Sequence, residues 1–272
     1  MELKKYIESV FEAGGIYGLK DMEVYYSKSS ELSIEVFEGE IDGYQLSKTE
    51  GVSFRGKYEG RMGCSYTENV DEASIIMLVK AAAENAGIID SDDEEELFAG
   101  ALDYAEVKSY FPDLADVEVR DKIAFVKKME AAALAQDKRV TAVEGCEYGE
   151  QTSETVLANS KGLYLKDSRN SAYAYVSAVA QEGEQIKTGM AYRAGNDFRL
   201  FDAEEIAKEA VDKAVSMLGA TEVESGDYEV IFKNTAFASL LSAFQGIFSA
   251  ELVQKNLSLL KGRLGSRIGS SK

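Results

Sequence analysis

The 272-residue chain contains no histidine. That removes Ser-His-Asp and Cys-His catalysis and every imidazole metal site. Chemistry is left to carboxylates, lysines, tyrosines, hydroxyls and two thiols. Cys64 in "GRMGCSY" and Cys146 in "VEGCEYGE" stand far apart, so there is no Cys-x-x-Cys redox or zinc-ribbon spacing. A thiol or hydroxyl nucleophile here would need Lys or a carboxylate as its base. The competing reading of both cysteines is a small hydrophobe in a strand. The acidic run "DSDDEEE", Asp90 to Glu96, offers oxygen ligands. It lacks the alternating ligands, glycine and distant Glu of an EF-hand, so it reads as a solvated connector. The Tyr-rich "SAYAYVSAV", Ser171 to Val179, reads as a strand rather than a binding platform.

One further stretch, "SLLSAFQGIFSAE" from Ser239 to Glu251, has helical spacing. Leu240, Leu241, Phe244, Ile247 and Phe248 share one face, which predicts a core helix. Gly246 in its middle costs ~1 kcal/mol relative to Ala and marks either a close backbone approach or a break.

The 48 acidic and 30 basic residues give a net charge of −18. A field of that sign repels phosphate backbones and anionic lipid surfaces, so direct nucleic-acid or membrane contact is not expected. The first segment, "MELKKYIESVFEAGG", is an amphipathic helix and not a signal peptide. No stretch is long enough to span a bilayer. With two cysteines in so long a chain, the expected location is cytoplasmic.

The elements that must position these residues follow a repeating order. Gly14, Gly15 and Gly18 are expected to end the first helix. A run rich in Val, Ile, Tyr and Phe with glycine-marked turns then predicts an antiparallel meander. "NVDEASIIMLVKAAAENAG" predicts a helix with Asp71 as N-cap and Gly87 as C-cap. After a connector containing Pro112, a helix is expected over Arg120 to Asp137, then a second run of strands. "FDAEEIAKEAVDKAVSMLGA" closes the set, with Asp202 as N-cap and Glu205 at capping-box spacing. "GVSFRGKYEG" and "GLYLKDSRNS" fall at similar places in the two halves. The fold class is therefore α+β, two helix–meander–helix units, not a βαβ pattern. The expected organisation is an N-terminal domain over 1–222, with an internal repeat of 1–90 and 119–220. Residues 223–272 read as the incomplete beginning of a C-terminal domain, opening on a buried strand "YEVIF". No Gly-rich nucleotide motif opens any helix.

Four segments carry a resemblance to a known family: "GVSFRGKYEGRMGCSYTENVD", "LANSKGLYLKDS", "LGATEVESGDYEVIF" and "FSAELVQKNLSLLKGRLGSRI". In this order they resemble the TldD/PmbA family, whose older label is modulator of DNA gyrase, and the last two are most similar to its PmbA branch. The family's catalytic branch carries a His-Glu-x-x-x-His helix just after the strand matching "YEVIF". Its two histidines bind zinc and its Glu activates a water. Laid on this chain, the first His falls on Ser242, the Glu on Ala243 and the second His on Ile247; only Gly246 matches the motif's usual glycine. The resemblance thus implies a degenerate motif, with no catalytic residue, cofactor or metal ligand in this chain. It implies a PmbA-like non-catalytic subunit, a pseudoenzyme, with zinc held only by a TldD-like catalytic partner. Together they would act as a protease on small or unfolded peptides. The alternative is a peptide-binding or scaffold homodimer whose open strand edges take up extended peptides.

Overall fold

The computed structural model describes residues 2–90 and 95–270. These divide into two units, Met1–Ala220 and Thr221–Lys272. The acidic run Asp90 to Glu96 falls partly at 91–94, outside the described residues.

The first unit opens with α1 (Leu3–Ile16). Three antiparallel strands follow, β1 (Lys20–Phe37), β2 (Glu40–Tyr58) and β3 (Arg61–Thr67), then α2 (Glu72–Ile88). The order recurs after a connector. A short α3 (Pro112–Ala115) starts on the proline and α4 (Val119–Gln136) follows it. Then come β4 (Val140–Asn159), β5 (Tyr164–Glu182), β6 (Gln185–Gly195) and α5 (Ala203–Ser216). All six strands form one antiparallel sheet in the order β3-β2-β1-β4-β5-β6. The two meanders meet where β1 pairs with β4, from Glu23↔Asn159 to Glu35↔Glu147.

Strand alternation decides which face is covered. Val24, Tyr26, Val52 and Phe54 turn toward α1 and α2, which contribute Tyr6, Val10, Leu78 and Val79. Ile34, Tyr148, Ala174 and Val176 turn toward α4 and α5, which contribute Val126, Met129, Ile206 and Ala210. Asp71 accepts the Ser74 N–H at the start of α2, and Asp202 accepts the Glu204 and Glu205 N–H groups at the start of α5.

Several expectations are corrected. Gly14 and Gly15 lie inside α1, and Gly18 ends it with φ +82°. The Leu19 N–H bonds the Gly14 carbonyl and the Gly18 N–H bonds the Gly15 carbonyl, a Schellman closure. Gly14 is inside because Met22 packs there: its sulfur lies 2.3 Å from where a Cβ would stand. Gly87 is not a cap, since α2 continues through Ile88. "GVSFRGKYEG" and "GLYLKDSRNS" occupy opposite ends of β2 and β5, not equivalent places.

The second unit contains α6 (Asn234–Phe244), a 3-10 turn (Gln245–Phe248) and α7 (Ala250–Gln254). "YEVIF" forms no strand here, and Ile231 is 98% exposed. A strand exists only by pairing, and among the described residues none pairs with it. The α6 helix is likewise not a core helix among the described residues, since Leu240, Leu241, Phe244 and Phe248 are all exposed. The Gln245-Gly246 pair is the break that its composition allowed: the α-helix stops at Phe244 and tightens into the 3-10 turn.

Candidate functional site

Ser242 and Ala243 sit on the last turn of α6, and both are exposed. They line an open depression with Ala238 and Ser239. Ile247 lies beyond the helix break, half-buried, and its carbonyl accepts the Ser258 hydroxyl at 2.5 Å. Ile247 and Phe248 instead line a separate hollow of about 430 Å³ with Val253, Leu260 and Leu264. Ser242 and Ala243 thus border one hollow and Ile247 another. They supply one hydroxyl and no imidazole or carboxylate, which is not a donor set for zinc. No helix among the described residues is long and apolar enough to cross a membrane.

The thiols separate. Cys146 faces the helices, buried, and donates to the Val126 carbonyl at 3.5 Å. Burial first, then the Glu130 charge, pushes its thiol up to about 12. It stays protonated at neutral pH and is a poor nucleophile. Cys64 departs from the small-hydrophobe expectation: it is exposed on the other face of β3. It borders a hollow of about 390 Å³ with Glu23, Tyr25, Arg55 and Tyr66. Arg55 closes part of that hollow by holding Glu23 at 2.6 Å.

The face of the sheet turned away from α1, α2, α4 and α5 is where polar groups gather. Directly opposed residues point the same way. One row across the strands is Gly43, Glu35, Glu147, Tyr175, Tyr192. The next is Gln45, Ser33, Gly149, Tyr173, Ala194, and the third is Ser47, Glu31, Gln151, Ser171. Tyr173 donates to Glu147 Oε1 at 2.6 Å and Ser33 donates to the same oxygen at 3.0 Å. Gln151 donates to Glu31 at 2.9 Å. Tyr173 and Tyr192 stack at 5.8 Å. Burial and the Glu147 hydrogen bond raise the Tyr173 phenol, and burial with the charges of Glu147 and Glu35 raises that of Tyr175. These phenols stay protonated, and Tyr173 serves as a donor, not a base. A hollow of about 310 Å³ opens here, bordered by Glu31, Ser33, Gln45, Gln151 and Tyr173.

The Tyr-rich segment is indeed a strand, but sequence reasoning missed what its alternation presents. Ala172 and Ala174 enter the core, while Tyr173 and Tyr175 stand on the open face. The overlooked signal was glycine. Tyr173 lies across Gly149, with a ring atom 2.3 Å from where a Cβ would stand, and Tyr175 crosses Gly145 at 2.8 Å.

Comparison with known proteins covers nearly the whole chain. Residues 22–86 match the family model of the PmbA/TldA metallopeptidase domain 1. Residues 112–218 match its central domain and residues 225–272 its C-terminal domain. The metalloprotease PmbA of Escherichia coli O157:H7 is 24% identical over 253 residues, 90% of this chain and 55% of that protein. The uncharacterized protein MJ0231 of Methanocaldococcus jannaschii is 24% identical over 263 residues, 96% of this chain and 59% of that protein. A crystal structure from Thermotoga maritima, named for modulation of a DNA gyrase, superposes with a TM-score of 0.89 at 26% identity. It covers 98% of this chain and 60% of that one. TldE of Thermococcus kodakarensis superposes with a TM-score of 0.83 at 20% identity, covering 95% of this chain and 58% of that one. The chain spans between 52% and 59% of the length of the curated relatives it matches.

Proposed function

Because the chain belongs to the PmbA/TldA (TldD/PmbA) metallopeptidase family, we propose that it serves as the non-catalytic, PmbA-like subunit of a zinc protease acting on small or unfolded peptides. In this reading a TldD-like partner holds the zinc, and this chain supplies part of the peptide-handling surface. Relatives named as metalloproteases support a protease-related role. The observation that carries the finer reading is the helix at the motif's place. Ser242, Ala243 and Ile247 stand where the resemblance puts two histidines and a glutamate, and the chain has no histidine at all. No step of peptide hydrolysis is assigned to these residues, because a hydroxyl, a methyl and a branched alkyl group neither ligate zinc usefully nor activate its water.

The test is reconstitution. The purified chain is expected to hold no stoichiometric zinc and to leave peptides intact. Mixed with a His-Glu-x-x-x-His-bearing partner, it is expected to give cleavage that a chelator abolishes. One tightly bound zinc per chain, or cleavage by this chain alone, would sink the reading. A stable homodimer that ignores the partner would favour the scaffold alternative instead.

A further inference from the structure

The open face beside β5 has an unbalanced charge. Its three rows hold Glu31, Glu35 and Glu147 and no lysine or arginine. None of these carboxylates enters an ion pair among the described residues, although many other carboxylates of the chain do. The donors to Glu147 and Glu31 are neutral: a tyrosine and a serine on the first, a glutamine on the second. Among the cations of the same strands, Lys28, Lys166 and Arg193 are turned to the other face, where they meet Glu50, Glu154 and Glu209. Arg55, on this face beyond these rows, is held by Glu23. Arg169, in the row after Glu31, is already held by Asp167.

The site is also aromatic and adjoins a concavity at Tyr173. Glycines at 145 and 149 let Tyr175 and Tyr173 lie flat across β4, and Tyr192 stacks on Tyr173. Beside the Glu35–Glu147 row, a hollow of about 310 Å³ bordered by Glu31, Ser33, Gln45, Gln151 and Tyr173 stands at the lower end of the ~300–1,000 Å³ typical of ligand pockets. Carboxylates beside an exposed aromatic ring, here Tyr192, are the chemistry that receives a cation on an apolar stem, through charge and cation–π attraction together.

We infer that this face binds a basic peptide segment, with an Arg or Lys side chain set between Glu35, Glu147 and the Tyr173–Tyr192 pair. The inference rests on the reading of the chain as a peptide-handling subunit and names the class of peptide it selects. Binding is strengthened by the −18 charge of the whole chain, which steers cationic peptides toward it.

Isothermal titration of the purified chain with a short peptide alternating Arg and Ser tests this. Counterpart peptides carry Gln or Glu in place of Arg. The Arg peptide is expected to bind, with affinity falling as salt rises, and the Glu peptide is expected not to. The Glu35→Gln/Glu147→Gln double variant should weaken binding about tenfold or more and flatten the salt dependence. Glu154→Gln, on the opposite face, should leave it unchanged. Equal binding of the Arg and Glu peptides overturns the inference on the unaltered chain alone, whatever the variants do to folding. So does an unchanged affinity in a folded double variant. No partner or zinc enters this measurement, so its failure alongside chelator-sensitive cleavage in the reconstituted mixture removes only the basic-segment site. Arg-peptide binding without any such cleavage removes only the protease reading.

Discussion

In the first half of the sheet unit, Gly63 on β3 lies beneath Ala82 and Ala86 of α2. A Cβ there would stand 1.9 Å from the Ala82 carbonyl oxygen. In the second half, Gly189 on β6 lies beneath Ala210 and Ala214 of α5, where a Cβ would stand 2.3 Å from the Ala210 oxygen. The same device, a glycine under two alanines one turn apart, seats the outer helix on the outer strand in both halves. Away from that device the halves diverge. The first joins α1 to α2 by a neutral bond between Tyr6 and Ser74 at 2.9 Å. The second buries an ion pair, Lys122 to Glu150 at 2.6 Å, with the Tyr148 hydroxyl on the same carboxylate. On the open face, Arg55 neutralises Glu23 in the first half, whereas Glu147 in the second meets only neutral donors. The scaffold is repeated; the chemistry placed on it is not.

The scaffold half of that comparison is the easiest to break. Gly63→Val and Gly189→Val should each destabilise the unit by about 4 kcal/mol or more, because the added atoms meet backbone that cannot retreat without moving a helix. Urea unfolding followed by circular dichroism measures both, and a large effect at one glycine with tolerance at the other would end the equivalence. The divergence in buried polar contacts is the next test. Lys122, 3% exposed, leaves Glu150 uncompensated when changed to Met, at a cost of about 3 kcal/mol. Tyr6→Phe, which removes only a neutral bond, should cost about 1 kcal/mol. Similar losses from the two would erase the distinction.

The smallest expected effect is acid sensitivity in the second half. Hydrogen bonds from Lys213 and then Arg193 lower the Glu209 carboxyl from 4.5 to about 2. A group depressed on folding contributes its stability above its unfolded pKa and loses it as pH falls through the folded one. The contribution is therefore complete above about pH 4.5 and gone near pH 2. Solvent screening at this partly exposed cluster limits it to ~0.5 kcal/mol. Hydrogen exchange of α5 and β6 should show the loss in that window, and Glu209→Gln should flatten it.

Much of this scaffold was legible because its signals are local. Asp71 and Asp202 cap their helices through bonds spanning three residues or fewer, and alternation such as Ala172, Tyr173, Ala174 fixes both a strand and its two faces. What failed depended on partners. The "YEVIF" stretch has strand composition, but only a neighbouring strand could make it one. The apolar stripe of α6 states that a surface needs covering, not that it is covered. Gly14 and Gly87 look like terminators by type alone; only the packing of Met22 and the continuing turns of α2 show that they are not. The open-face cluster was illegible for a related reason. Glu35, Glu147 and Tyr192 lie on three strands, and only their register puts them in one row.

The seam between β1 and β4 has a consequence in time. Its contacts join residues far apart in the chain, 114 positions for Ser33 with Glu147 and 136 for Glu23 with Asn159. Each meander can form from neighbouring hairpins, but the seam must close a loop of that length first. Pairings of such separation slow folding, typically into the millisecond-to-second range for sheet-rich chains. Until the seam closes, β1 and β4 each expose an unpaired edge, and the nascent chain carries two interfaces ready to pair with the wrong copy.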